Sequence, residues 1–242
     1  MDLVEILKKA LEQGASDAII SADTVACLRI NGELQRLRMD ALTGEGTKKL
    51  VYAVLNEGQI ARFEREKELD FSFTLHGDHR FRGNVFLQRG TVGAAFRLIP
   101  SRIPTIEELA LPPVVEEFAM SSQGLVLITG PTGHGKSTTQ AAMINAINRK
   151  KKAHIITIED PIEFVHANDK SVIEQREVGE DTESFANALK HVLREAPDVI
   201  LVGEMRDPES IACAMSASET GHLVIATVHT NDAVQAVDRL LD

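Results

Sequence analysis

Tryptophan is missing from this chain of 242 residues, and tyrosine occurs once, at Tyr52. That scarcity speaks against an aromatic stacking stripe of the kind that holds single-stranded nucleic acid. Positive charge is short as well: 26 Lys and Arg against 36 Asp and Glu leave a formal net charge of −10. A general nucleic-acid binder usually presents a basic domain or face, so no nucleic-acid partner is expected. The two cysteines, Cys27 and Cys213, lie far apart and form no CxxC pair. This excludes a disulfide framework or a cysteine zinc site and fits a reducing compartment. No apolar run approaches the ~20 residues of a membrane-spanning helix, so no transmembrane segment is expected. Residues 1–9 lack a basic region followed by an apolar stretch and do not read as a secretion signal. A cytoplasmic protein is expected. Apolar residues, at 43%, are plentiful enough to build one large or two modest cores.

The pattern of those apolar residues changes part-way along the chain. Leu3, Ile6, Leu7, Ala10 and Leu11 fall on one face of a helix over 3–13, with Gly14 as its stop. Two short strands, Val25–Ile30 and Glu33–Leu37, flank Asn31-Gly32, a strong hairpin signal. Helices over 47–55 and 57–68 follow, the second carrying a charged, solvent-facing run from Arg62 to Glu68. Phe71–Leu75, Arg80–Gln88 and Thr91–Ile99 then alternate, broken by His76-Gly77-Asp78 and Gly90, as in an antiparallel meander. Residues 1–99 thus read as a small α+β domain, and the proline-rich stretch 100–122 as a linker with a short helix. From residue 123 onward four apolar runs, Leu125–Thr129, His154–Glu159, Val199–Val202 and Leu223–His229, are separated by helices at 137–149, 182–195 and 207–219. Short apolar strands alternating with helices predict a parallel sheet covered on both faces. The last helix, Val234–Leu241, is one that Asn231 or Asp232 could cap, and nothing after it signals a C-terminus. The 123–242 core is expected to be cut short on that side.

One segment carries chemistry by itself. Gly130-Pro131-Thr132-Gly133-His134-Gly135-Lys136-Ser137 matches GxxxxGK[ST], with a strand running in and a helix, starting near Ser137, running out; Thr138 follows as a further nucleotide-binding candidate. Glycines let backbone N–H groups wrap a phosphate, and the helix N-terminus adds a favourable dipole. Lys136 would reach the β and γ oxygens of ATP, and the Ser137 hydroxyl would ligate Mg²⁺. The bland alternative is a glycine-rich turn without a ligand. Nucleotide binding alone does not separate kinases, switches, helicases and motors.

Three further segments narrow the choice. Ile158-Glu159-Asp160-Pro161-Ile162-Glu163 follows a core strand, where an open α/β sheet presents its ligand crevice. A carboxylate there can orient or deprotonate an attacking water; an acidic solvent loop is the competing reading. Asp198 to Glu204 is an apolar strand ending in Gly-Glu, with Glu204 placed to act on Mg²⁺ through a water, and Arg206-Asp207 after it could pair with each other or across a subunit boundary. Gly221-His222 precedes the final core strand and His229 ends it, where a sensor of the γ-phosphate or a hydrogen-bonded core histidine would sit.

These four boxes, in this order, resemble those of the PilT/GspE secretion ATPase superfamily: Walker A, aspartate box, Walker B and histidine box. Upstream, Gly14-Ala15-Ser16-Asp17, Asp70-Phe71-Ser72-Phe73, Arg80-Phe81-Arg82-Gly83-Asn84 and Phe96-Arg97-Leu98-Ile99-Pro100 are similar to the family's N-terminal domain. The resemblance implies an α/β fold: a RecA-like core preceded by a PAS-like α+β domain. It also implies a homo-hexamer that hydrolyses ATP with Mg²⁺ to work on an inner-membrane pilus platform protein, beneath the pilus base. By the same resemblance Glu163 is the general base, Glu204 the Walker B glutamate, and His222 and His229 the histidine-box residues. Arg82 and Arg97 are the candidates for neutralising the transferring phosphoryl group, with surface arginines as the alternative. Absence of a leading domain and of a zinc tetracysteine points to the retraction branch, as does Met205 in Gly203-Glu204-Met205-Arg206-Asp207. An assembly or secretion motor is the near alternative, and a DNA translocase or a non-hydrolysing scaffold the distant ones. His134 stands where the family has a small Ser, Ala18 follows the Ser-Asp pair in place of His, and Ala196 replaces an acidic residue.

Overall fold

A computed structural model describes residues 1–75, 79–100, 102–230 and 232–241. The expected turn at His76-Gly77-Asp78 and the candidate cap Asn231 lie outside these. The chain divides into two compact units, Met1–Ser101 and Arg102–Asp242.

The first unit begins with helix α1 (Leu3–Glu12), which Asp2 and Glu5 close with a capping box. Strands β1 (Asp17–Ile20), β2 (Cys27–Ile30) and β3 (Glu33–Arg36) follow, then helices α2 (Gly44–Tyr52) and α3 (Glu57–Glu66), and strands β4 (Glu68–Leu75), β5 (His79–Gln88) and β6 (Thr91–Leu98). Asn31 and Gly32 both take positive φ, 51° and 86°, as the hairpin turn between β2 and β3 requires. The six strands form one sheet in the order β3-β2-β1-β6-β5-β4, antiparallel at every junction. Its buried face packs Leu28, Val85 and Phe96 against Ile6, Leu7 and Val51 of the helices.

The second unit opens with α4 (Val114–Ala119) and continues as β7 (Gly124–Thr129), α5 (Lys136–Lys150), β8 (His154–Glu159), β9 (Val172–Glu177), α6 (Phe185–Val192), β10 (Val199–Val202), α7 (Pro208–Glu219), β11 (Leu223–Val228) and α8 (Ala233–Leu241). Residues 102–122, read from sequence as a linker, belong to this unit because Ile106 and Ala119 are buried in its core. The sheet order is β7-β11-β10-β8-β9, with every pair parallel. Alternate residues of the strands point to opposite faces. Ile156, Ile200 and Val224 meet α6 and α7, whereas Ile155, Leu201 and Ile225 meet α5. Covering both faces with helices is what buries β10 and β11 at every position. No helix among the described residues is long and apolar enough to cross a membrane.

Candidate active site

Parallel strands all deliver their carboxyl ends to one edge of the sheet, and four of the sequence segments converge there. In register, Thr129 of β7 lies beside Val228 of β11, and Val202 of β10 lies beside both Ala226 of β11 and Ile158 of β8. The phosphate loop, His229, Glu204 and the aspartate box therefore leave the sheet side by side.

The loop from β7 to α5 is shaped by three glycines in the left-handed half of backbone space: Gly130 (φ 145°), Gly133 (φ 80°) and Gly135 (φ 83°). Only glycine takes such angles without strain, and together they curl the chain into a cradle of backbone N–H groups. Pro131, Thr132, Gly133 and His134 are exposed along its rim. Gly135 starts α5, and among the described residues no side chain caps that helix, so its first N–H groups face the cradle. The Lys136 ammonium donates to the carbonyls of Gly130 (2.9 Å) and Pro131 (3.0 Å), which holds it over the loop. Ser137 and Thr138 follow in the first turn of α5, half-buried. Gln140, one turn further and buried, donates to the Val202 carbonyl at 3.1 Å. That bond ties the phosphate-loop helix to the end of β10, a link with no motif to announce it.

Glu204 accepts from Arg206 on one oxygen (2.8 Å) and lies 3.1 Å from His229 Nε2 on the other. Burial pushes this carboxyl up, but Arg206 and His229 outweigh it and hold the group below its ordinary value, so it is ionised near neutrality. Arg206 thus pairs with Glu204, and the charge of Asp160 also favours its charged form. Asp207 caps α7, accepting from the Ser210 N–H at 2.8 Å and the Ser210 hydroxyl at 2.7 Å. The strand ends are laced together here. Gly203 N–H donates to the Ile158 carbonyl (2.7 Å), Thr227 Oγ1 to the Gly203 carbonyl (2.6 Å), and Met205 N–H to the Thr227 carbonyl (2.9 Å).

The aspartate box turns sharply through a cis Asp160–Pro161 bond. Glu163 is exposed on that turn, while Glu159 before it is partly buried. Burial raises the Glu159 carboxyl, against donors from Thr157 Oγ1 (2.6 Å) and Gln175 Nε2 (3.1 Å) that lower it.

His222 does not join this edge. It sits at the amino end of β11, beside Gly124, whose N–H donates to its carbonyl at 3.0 Å. With the six residues of β11 between them, the seven steps from His222 to His229 at about 3.3 Å each separate the two by roughly 23 Å. The His222 ring Nδ1 lies 3.0 Å from the Ala217 carbonyl and 3.3 Å from Thr220 Oγ1. Within one chain the two histidines therefore stand at opposite ends of β11. Arg82 and Arg97 belong to the first unit, where they face each other across β5 and β6. Arg97 donates to Asp17 at 3.0 Å, and Arg82 stands 3.8 Å from Asp70.

A cradle of amides with a lysine above it, at the carboxyl edge of a parallel sheet and beside an ionised glutamate, defines a phosphate-loop NTPase. The family model described as "Type II/IV secretion system protein" matches residues 107–242. Over its whole length the chain is 48% identical to the type IV pilus retraction ATPase PilT of Pseudomonas aeruginosa, covering 70% of that protein. A twitching motility protein of Neisseria gonorrhoeae is also 48% identical, over 99% of this chain and 64% of its own length. A crystal structure of the pilus retraction motor PilT with bound ADP superposes with a TM-score of 0.96 at 51% identity, over all of this chain and 71% of that one. The chain belongs to the type II/IV secretion ATPase family.

Proposed function

We propose that this chain is the ATP-hydrolysing part of a hexameric cytoplasmic motor that retracts a type IV pilus, working on a platform protein at the inner membrane. The relatives named for pilus retraction and twitching support the cellular role. The hydrolytic role is carried by one observation: Glu204, ionised and held by His229 at 3.1 Å, leaves the same sheet edge as the phosphate loop, whose helix is tied to the end of β10 through Gln140.

In this reading the backbone amides of residues 130–138 other than Pro131 bind the α- and β-phosphates, and Lys136 leaves its loop carbonyls for the β/γ oxygens. Among the described residues no cluster of three or more His, Cys, Asp or Glu could hold a metal ion. The donors present fit an ion that arrives with the nucleotide, as Mg²⁺ usually does, ligated by the Ser137 hydroxyl and reached by Glu204 through a water. Bound there, the ion would neutralise charge on the phosphate oxygens. Glu163 acts as the general base on the attacking water. His229 fixes one oxygen of Glu204 and so sets the direction of the other. Arg82 and Arg97 supply positive charge to the transferring phosphoryl group, and His222 acts away from its own chain's Glu204.

Phosphate release by the parent, Glu204→Gln and Lys136→Ala proteins tests the hydrolytic claim. Turnover in the parent that falls at least 100-fold in Glu204→Gln is expected, together with lost ATP affinity in Lys136→Ala. Equal rates in parent and Glu204→Gln, or unchanged affinity in Lys136→Ala, would refute it. For the cellular claim, deletion should leave pili present but immobile; cells without pili would indicate an assembly motor instead.

A further inference from the structure

We infer that Glu159, Gln175 and Glu177 are positioning residues, a polar frame on β8 and β9 that sets the aspartate-box turn and so the direction of Glu163. The inference rests on Glu163 being the general base.

Residues 160–171 contain no helix or strand, and a segment of that kind ordinarily moves. This one is fastened from beneath. In the parallel register Thr157 lies beside Gln175, and Glu159 beside Glu177. Period-two alternation puts all four on one face of the sheet, in line with Ile155 and Ile173 of the buried core. The face is thus apolar at its amino end and polar at its carboxyl end, directly below the turn.

Gln175 and Glu177 bind the turn directly, and Thr157 donates to the Glu159 carboxylate at 2.6 Å. Gln175 Nε2 donates to Glu159 Oε1 (3.1 Å) and to the Phe164 carbonyl (2.8 Å), while its Oε1 accepts from the His166 N–H (2.8 Å). One amide therefore holds the limb that follows Glu163 at two points and ties it to the Glu159 carboxylate at the end of β8. Glu177, 4% exposed, accepts from the Ile162 N–H at 3.0 Å. The backbone amide of Glu163 itself faces the Glu159 carboxylate and favours its charged form. Two neighbouring carboxylates under a turn are a poor way to gain stability, since apolar residues of similar size would fill the same space without the desolvation cost. A fully bonded polar network does, however, fix one geometry. A base must sit within about 3 Å of the water it activates, where small misplacements are expensive in rate.

The test compares ATP turnover and thermal unfolding of the whole chain in several forms. Gln175→Leu keeps the volume and deletes all three hydrogen bonds. Its kcat should fall roughly ten- to a hundredfold while KM stays within about twofold, because the phosphate loop is untouched. Gln175→Glu loses both donors and sets a second acid against Glu159, and should be similarly slow. Adding Glu159→Gln to Gln175→Glu restores a donor–acceptor pair between the same positions, so part of the lost kcat should return. Parental kcat in Gln175→Leu, a loss matched by the unfolded fraction, or no recovery in the exchanged pair would overturn the inference. Should Gln175→Leu fail to fold, the comparison of Gln175→Glu with the exchanged pair decides alone. A parent that turns over no faster than Glu204→Gln sinks the hydrolytic reading and this inference together; an active parent matched by Gln175→Leu sinks only the inference.

Discussion

Gly203 and Glu204 are neighbours under opposite demands, one for space and one for charge. A Cβ at Gly203 would meet Glu159 Cα and the Ile158 carbonyl oxygen, each at 3.2 Å, and both belong to strand backbone. That backbone cannot yield cheaply, because Gly203 N–H is already hydrogen-bonded to the same Ile158 carbonyl at 2.7 Å. Gly203→Ala should therefore cost about 1–3 kcal/mol in urea unfolding, as overpacking does elsewhere. A change below about 0.5 kcal/mol, the level of an ordinary surface substitution, would refute it. The Gly-Glu pair was legible as a Walker B ending, but the reason for the glycine was not, since it lies on the adjacent strand, more than forty positions back in the chain (159 against 203). The same holds for Arg206. Its sequence neighbour Asp207 looked like a partner, whereas a helix beginning at Pro208 claims that aspartate as its cap.

At the level of elements, the strands with apolar runs were readable and β9 was not. Val172-Ile173-Glu174-Gln175-Arg176-Glu177 offers two apolar residues at its start and then polar ones only. Its inward positions after Ile173 are Gln175 and Glu177, which bind a turn instead of filling a core, so hydrophobic periodicity has nothing to detect. Strand β1 escaped for a different reason: four residues, Asp17–Ile20, give alternation too little length. Helix α7 illustrates the reverse case, a boundary that local chemistry fixes. Asp207 bonds both the N–H and the hydroxyl of Ser210, with Pro208 in the first turn. Asp207→Ala should lower stability by about 1 kcal/mol, read as a shift in the urea midpoint without a change of slope. Asp207→Ser, which keeps a capping oxygen, should recover most of it, and equal losses in the two variants would show that the cap is not responsible.

For the molecule as a whole, the change from alternating strands to continuous apolar ones marked two kinds of sheet, and the structure has one antiparallel and one parallel sheet. What no pattern announced is a pH dependence built into the second unit. His166 lies within the fastened segment, its ring buried with Nδ1 finding no hydrogen-bond partner among the described residues. Burial pushes its pKa down to about 4, from 6.5 ordinarily. An unfolded chain would take up a proton at this position through the ordinary range, while the folded chain refuses it until near the lower value. Stability rises with pH wherever the unfolded state binds more protons. Stability should therefore decline as pH falls from about 6.5 to about 4, with no further loss from this group below that. Thermal unfolding across this window, in the parent and in His166→Leu, isolates the contribution. The leucine variant should show a flatter decline while Gln175 still accepts from the backbone N–H of residue 166, a bond that needs no imidazole. Parallel curves for the two proteins would mean that the ring is already protonated, or already solvated, in the folded chain.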